Sequence, residues 1–112
     1  MIEINETTFG TVIDSQLPVL LEFYGTSCPP CQRIRPMLER LSVELQGQAL
    51  IAKMSVENNP RMAHNCGIGS VPTFIVFVNG GEKARMIGIQ SRENILTALG
   101  LPMSPQADLF HK

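Results

Sequence analysis

Apolar residues along this chain follow two alternating rhythms. Val19-Leu20-Leu21-Glu22-Phe23-Tyr24 is a nearly continuous apolar run opened by Pro18 and closed by Gly25, and it reads as a central strand buried on both sides. Further on, Ile34, Leu38, Leu41 and Leu45 recur at intervals of four, three and four with Arg33, Arg35, Glu39, Arg40 and Glu44 among them, which predicts an amphipathic helix. Pro36 falls inside that helix, removes one backbone hydrogen bond and predicts a kink, at a typical cost of about 3 kcal/mol unless packing compensates. Gly47 marks the helix end. Before this unit, Ile2 to Ile4 reads as a short strand, and Thr7 or Thr8 as the cap of a helix through Phe9, Val12 and Ile13. After it come a strand over Leu50 to Ser55 and a short helix opened by Asn59-Pro60 that runs out near Asn65 to Gly67. Thr73 to Val78, rich in β-branched and aromatic residues, turns at Asn79-Gly80-Gly81 into a returning antiparallel strand over Lys83 to Ile89. Ser91 caps a last helix through Ile95, Leu96 and Leu99, which stops at Gly100 before Pro102.

Strands alternating with helices, without an internal repeat, predict an α/β fold. At 112 residues with 44% apolar content, the chain suits one domain. That domain is expected over residues 1–101, with 102–112, which has two prolines and no periodicity, as a frayed tail. A formal net charge of -1 offers no basic field for a phosphate backbone, so nucleic acid is not an expected partner. The acidic start Met1-Ile2-Glu3-Ile4-Asn5-Glu6 lacks the basic and apolar regions of a secretory signal, so a cytoplasmic location is expected. No apolar run approaches the roughly 20 residues a membrane span needs. Three cysteines do not suit a structural disulfide framework, and they point to redox chemistry or metal.

The strongest chemical signal is Cys28-Pro29-Pro30-Cys31 at the junction of the buried strand and the amphipathic helix. At a helix start, unpaired N–H groups and the positive end of the helix dipole favour the Cys28 thiolate, which makes Cys28 the expected nucleophile. Cys31 lies in the first helical turn within reach of Cys28, but shielded from large substrates, which suits a resolving thiol. The expected reaction is attack of the Cys28 thiolate on a substrate disulfide, followed by release of the mixed disulfide by Cys31. Proline at 29 has no N–H, so the Cys28 sulfur is expected to lack a donor that glycine would present.

These features resemble the thioredoxin family from about Asn5 to Leu99. The resemblance is carried by Glu22, the Cys28 to Cys31 pair, Pro36, Lys53 and Val71-Pro72-Thr73, together with the Asn79-Gly80 turn and Gly88. It implies a thioredoxin fold, a central mixed sheet of four to five strands with helices on both faces and the active site at the end of the second strand. It also implies that Pro72 is a cis-proline facing the active site, that Val71 offers its backbone to an extended substrate segment, and that Glu22, near Lys53, accepts the proton of Cys31. Protein disulfides would be the substrates, thioredoxin reductase or another dithiol the electron donor, and the chain a monomer needing no metal and no cofactor beyond the Cys28–Cys31 disulfide. Departures are Ser27 in place of the usual Trp, Pro29-Pro30 in place of Gly-Pro, Glu22 in place of Asp and Tyr24 in place of Trp. A Pro-Pro dipeptide is also found between the cysteines of tryparedoxin and nucleoredoxin relatives.

Other readings of the same residues stay open at this level. Glu22 could point to solvent or form a structural ion pair with Lys53, although a carboxyl in an apolar run is costly to bury without purpose. Cys66 reads as a small buried hydrophobe, Arg33 and Arg35 as a solvated helix face, His64 and His111 as surface residues, and the six methionines as core filling. Cys28, Cys31, His64 and Cys66 could together bind zinc, but their spacing is unusual for such sites. A peptide-binding adaptor without turnover would not need the intact cysteine pair.

Overall fold

Five residues in succession on the second strand, Val19 to Phe23, are buried, as a strand covered on both faces requires. The computed structural model describes residues 1–103, so the expected tail falls almost wholly outside the described residues. In chain order the elements are β1 (Ile2–Glu3), α1 (Glu6–Ile13), β2 (Val19–Tyr24), α2 (Pro29–Glu44), β3 (Leu50–Ser55), α3 (Pro60–Asn65), β4 (Thr73–Val78), β5 (Gly81–Ile87) and α4 (Arg92–Leu99). They build a five-stranded sheet in the order β1-β3-β2-β4-β5. β3 pairs in parallel with both β1 and β2, whereas β4 runs antiparallel to β2 and to β5, so the sheet is mixed.

Strand alternation divides the core between two faces. Leu20, Ile51, Phe74 and Val76 pack under Ile34, Leu38 and Leu41 of α2 and Ile95, Leu96 and Leu99 of α4. Val19, Leu21, Phe23, Met54 and Ile75 pack on the other side, against Phe9, Val12 and Ile13 of α1 and Ala63 of α3. Glu22 and Tyr24 follow Leu20 at intervals of two, so they belong to the α2 face.

Several boundaries differ from the sequence reading. α1 is capped by Asn5, whose side chain accepts from the N–H groups of Thr7 and Thr8, while Thr8 answers the Asn5 N–H in a capping box. The cap thus stands two and three residues before the threonines expected in that role, and its short side chain reaches both of their N–H groups. The hairpin turn holds only Asn79 and Gly80, at φ 53° and 83°, because Val78 pairs with Gly81. β5 therefore starts at Gly81, takes one extra residue opposite the Val76/Phe77 step, and ends at Ile87. Gly88, at φ 86°, turns the chain out of the strand, so Ile89 lies beyond it. α2 runs unbroken through Pro36. Pro36, which has no N–H to give the Gln32 carbonyl, interrupts one bond of the ladder without ending the helix.

Candidate active site

β2 ends at Tyr24, and the chain passes through Gly25 to Ser27 into α2. Gly25 is closely packed: a Cβ there would lie 3.3 Å from Val71, 3.4 Å from the Glu57 carboxylate and 3.5 Å from Cys28. The Thr26 N–H donates to both carboxylate oxygens of Glu57 at 3.2 Å, and this bond chiefly holds the Glu57 carboxyl below its ordinary range. Cys28 is the N-cap of α2, with Pro29 and Pro30 in the first two helical positions. Its sulfur accepts the Cys31 N–H at 3.2 Å. The donor that serves the sulfur therefore sits at the third helical position, beyond two prolines that have no N–H to offer.

Cys28 and Cys31 are joined in a disulfide with their Cα atoms 5.2 Å apart. Both residues are buried, Cys28 at 4% exposed and Cys31 at 0%, so Cys28 is the one of the pair that solvent touches at all. The Val71–Pro72 peptide bond is cis. Two hydrogen bonds hold its surroundings: Thr73 Oγ1 donates to the Ser70 carbonyl at 2.7 Å, and the Gly88 N–H donates to the Pro72 carbonyl at 2.8 Å. Val56, Ile68, Gly69, Ser70 and Val71 line a groove of about 220 Å³ beside this bond.

Glu22 is 0% exposed, and neither of its carboxylate oxygens has a hydrogen-bond partner. Burial pushes its carboxyl up to about 7, against the pull of the Arg35 and Lys53 charges. Lys53 occupies the register position of Glu22 on β3. Its ion pair, however, is with Glu3 at 3.8 Å, so the alternative reading of Glu22 as the ion-pair partner of Lys53 does not hold. β1 brings Glu3 to the other side of Lys53 in the same register, where solvent lowers the cost of pairing.

Arg35 also departs from expectation. Arg33 is exposed, but Arg35 is half-buried with its guanidinium 5.0 Å from the centre of the Tyr24 ring. The Tyr24 hydroxyl donates to the Glu3 carboxylate at 2.8–2.9 Å. Arg35, Tyr24, Glu3 and Glu57 were not singled out in the sequence as site residues. The available signal for Arg35 was its spacing, four residues after Cys31 and therefore on the same helix face. Cys66 is half-buried, and burial pushes its thiol up, as suits a packing residue. Among the described residues no group of three or more His, Cys, Asp or Glu side chains is placed to hold a metal ion. Among these residues, too, no helix is long and apolar enough to cross a membrane.

Comparison with known proteins agrees with this geometry. The thioredoxin family model matches residues 1–100. A thioredoxin of Rickettsia conorii is 39% identical over 85 residues, which cover 76% of this chain and 81% of the relative. A thioredoxin of Mycobacterium tuberculosis is 34% identical over 99 residues, covering 88% of this chain and 85% of the relative. A bifunctional thioredoxin reductase/thioredoxin of Mycobacterium leprae is 35% identical over 99 residues, 88% of this chain but 22% of that longer protein. A sheet of this order, a disulfide at the start of the helix after its central strand and a match across the whole domain lead to one conclusion: the chain belongs to the thioredoxin family and is a thiol–disulfide oxidoreductase.

Proposed function

We propose that the protein reduces disulfides of other proteins, with Cys28 as the nucleophile and Cys31 as the resolving thiol. The observation that carries this assignment is the asymmetry of the pair: Cys28 caps the helix and receives the Cys31 N–H, whereas Cys31 is wholly enclosed. The Cys28 thiolate attacks one sulfur of a substrate disulfide, forms a mixed disulfide and expels the other substrate sulfur as a thiolate. Cys31 gives its proton to Glu22, and its thiolate attacks the Cys28 sulfur. The second substrate thiolate leaves, two electrons have passed to the substrate, and the chain is left with the Cys28–Cys31 disulfide.

Val71 and Pro72 flank the substrate in this reading: Val71 lines the groove, and the close packing of Gly25 brings it beside Cys28. Lys53 tunes Glu22, the two prolines fix the start of α2, and Pro36 belongs to the same supporting frame. No cofactor is needed beyond the cysteine pair. The disulfide is returned to the dithiol by a thioredoxin reductase or another dithiol donor. The Mycobacterium leprae relative, whose name joins a reductase and a thioredoxin in one protein, supports the first. The setting we propose is the cytoplasm, whose reducing thiol pool would keep such a pair poised for electron transfer, and the working form is a monomer.

The assignment is tested by trapping. Cys31→Ser should accumulate covalent mixed disulfides with substrate proteins on non-reducing gels, and Cys28→Ser should accumulate few. Equal trapping by both variants, or more by Cys28→Ser, overturns it.

A further inference from the structure

Among the described residues, the buried side-chain nitrogen and oxygen atoms without a hydrogen-bond partner are the two carboxylate oxygens of Glu22 and Nε of Arg35. Isolated polar atoms of this kind are costly, and most cores avoid them. One lies on α2 and the other on the sheet face that α2 covers, which gives them a common explanation. Glu22 stands on the α2 face of the sheet, and Arg35 lies one helical turn beyond Cys31 on the face that Cys31 also occupies.

The charges around Glu22 are few. Lys53 approaches from β3, Glu3 from β1 and Arg35 from α2; the register partner on β4 is the apolar Phe74, and α4 contributes Ile95, Leu96 and Leu99 to this side. Tyr24, two residues beyond Glu22, has Arg35 at 5.0 Å and Lys53 at 5.5 Å from its ring centre, with its hydroxyl tied to Glu3. Both cations thus gather at the ring of the residue two places beyond the buried acid, on the same face of β2. They are not equivalent, however. Lys53 shares its charge with Glu3, whereas Arg35 has no carboxylate within ion-pair distance among the described residues. The uncommitted cation is the one whose field reaches Glu22 undivided.

We propose that Arg35 is a positioning residue of the redox reaction: held against Tyr24, it governs whether Glu22 is ionised and so whether a base is ready to take the proton of Cys31. This rests on the reading of Glu22 as that proton acceptor. A protonated Glu22 cannot receive the Cys31 proton, and burial alone favours the protonated form. The Arg35 and Lys53 charges both oppose the effect of burial on Glu22. The usual supporting lysine is thus assisted here by a second cation.

The test follows the Glu22 carboxyl by carbon NMR across pH in the full-length oxidised protein, alongside the pH profile of insulin disulfide reduction. Arg35→Gln removes the charge at similar size, Arg35→Met is a second charge deletion, and Arg35→Lys restores the charge; amide spectra report that each is folded. Arg35→Gln should raise the Glu22 midpoint by about one pH unit, within the usual range for losing a nearby opposite charge. The acidic limb of the rate profile should move with it, and Arg35→Lys should bring both back. On a Glu22→Gln background, Arg35→Gln should no longer shift the profile. An unmoved Glu22 midpoint in the charge deletions overturns the role of Arg35. A midpoint that moves while the rate profiles of both Arg35→Gln and Glu22→Gln stay unchanged overturns instead the proton-acceptor reading on which it rests.

Discussion

A carboxyl that solvent does not reach and no donor contacts is costly to keep in a core, and Glu22 is one. Its cost depends on pH in a definite direction. Unfolded, Glu22 titrates near its ordinary 4.5, and folded it titrates at about 7. Below the lower value both states are protonated and Glu22 contributes nothing. Between the two, the unfolded chain releases a proton that the folded chain keeps, so stability falls as pH rises. Above the upper value the penalty is complete, on the order of 3 kcal/mol. Glu22→Gln should therefore stabilise the oxidised protein by up to about that amount at pH 8, chosen above the folded midpoint, with the gain vanishing toward pH 4. Denaturant unfolding of both forms at the two pH values checks this. The sequence made Glu22 conspicuous, since an acid stood alone among apolar strand residues. Its true neighbours were not legible, because the pairing of Lys53 with Glu3 depends on where β1 lies, and a two-residue strand carries almost no pattern.

Among the elements, α2 carries the greatest functional weight, and its start is unusual. An N-cap side chain ordinarily accepts from the second or third helical N–H, and with prolines at the first two positions only the third remains. Pro30 therefore withholds the donor with the better reach, and Pro29 withholds one that lies outside the usual capping pair. Pro30→Ala should lower the Cys28 thiol midpoint more than Pro29→Gly, as read from the ultraviolet absorbance of the thiolate in the reduced protein. Equal shifts would mean that ring geometry, rather than donor count, controls the thiolate. The periodicity of Ile34, Leu38 and Leu41 made α2 itself easy to find. Caps were harder: Asn5 is displaced by only two or three residues from the threonines that share its capping box. Asn59 precedes α3 but makes no cap bond, because its side chain accepts from the Glu6 N–H and donates to the Ser55 carbonyl. Sequence reveals that such a side chain has polar atoms to satisfy, but it does not reveal which distant backbone will satisfy them.

For the molecule as a whole, the kinds of element and their sequence were legible from hydrophobic rhythm, and the order of strands in the sheet was not. β1 and β2 are separated by β3 in space, a long-range pairing that no local pattern encodes, and only family resemblance anticipated the architecture. Near-continuous apolar strands did announce two covered faces, and the two clusters on either side of the sheet are their result. The placement of Cys28 has a consequence for the whole fold, since one residue is at once the cap of α2 and a bearer of the transferred electrons. Folded and unfolded, oxidised and reduced, the four forms make a closed thermodynamic cycle. The difference in unfolding free energy between the oxidised and reduced proteins must therefore equal the change that folding makes in reduction potential, with about 30 mV for each 1.4 kcal/mol. If the reduced protein melts at lower temperature, folding has made the disulfide harder to reduce by that amount. A substitution that caps the Cys28 thiolate better, as expected of Pro30→Ala, should then raise the melting temperature of the reduced form relative to the oxidised form and make the disulfide correspondingly easier to reduce. Two calorimetric melts would thus report on electron affinity, because in this protein the first turn of a helix and a redox couple are the same atoms.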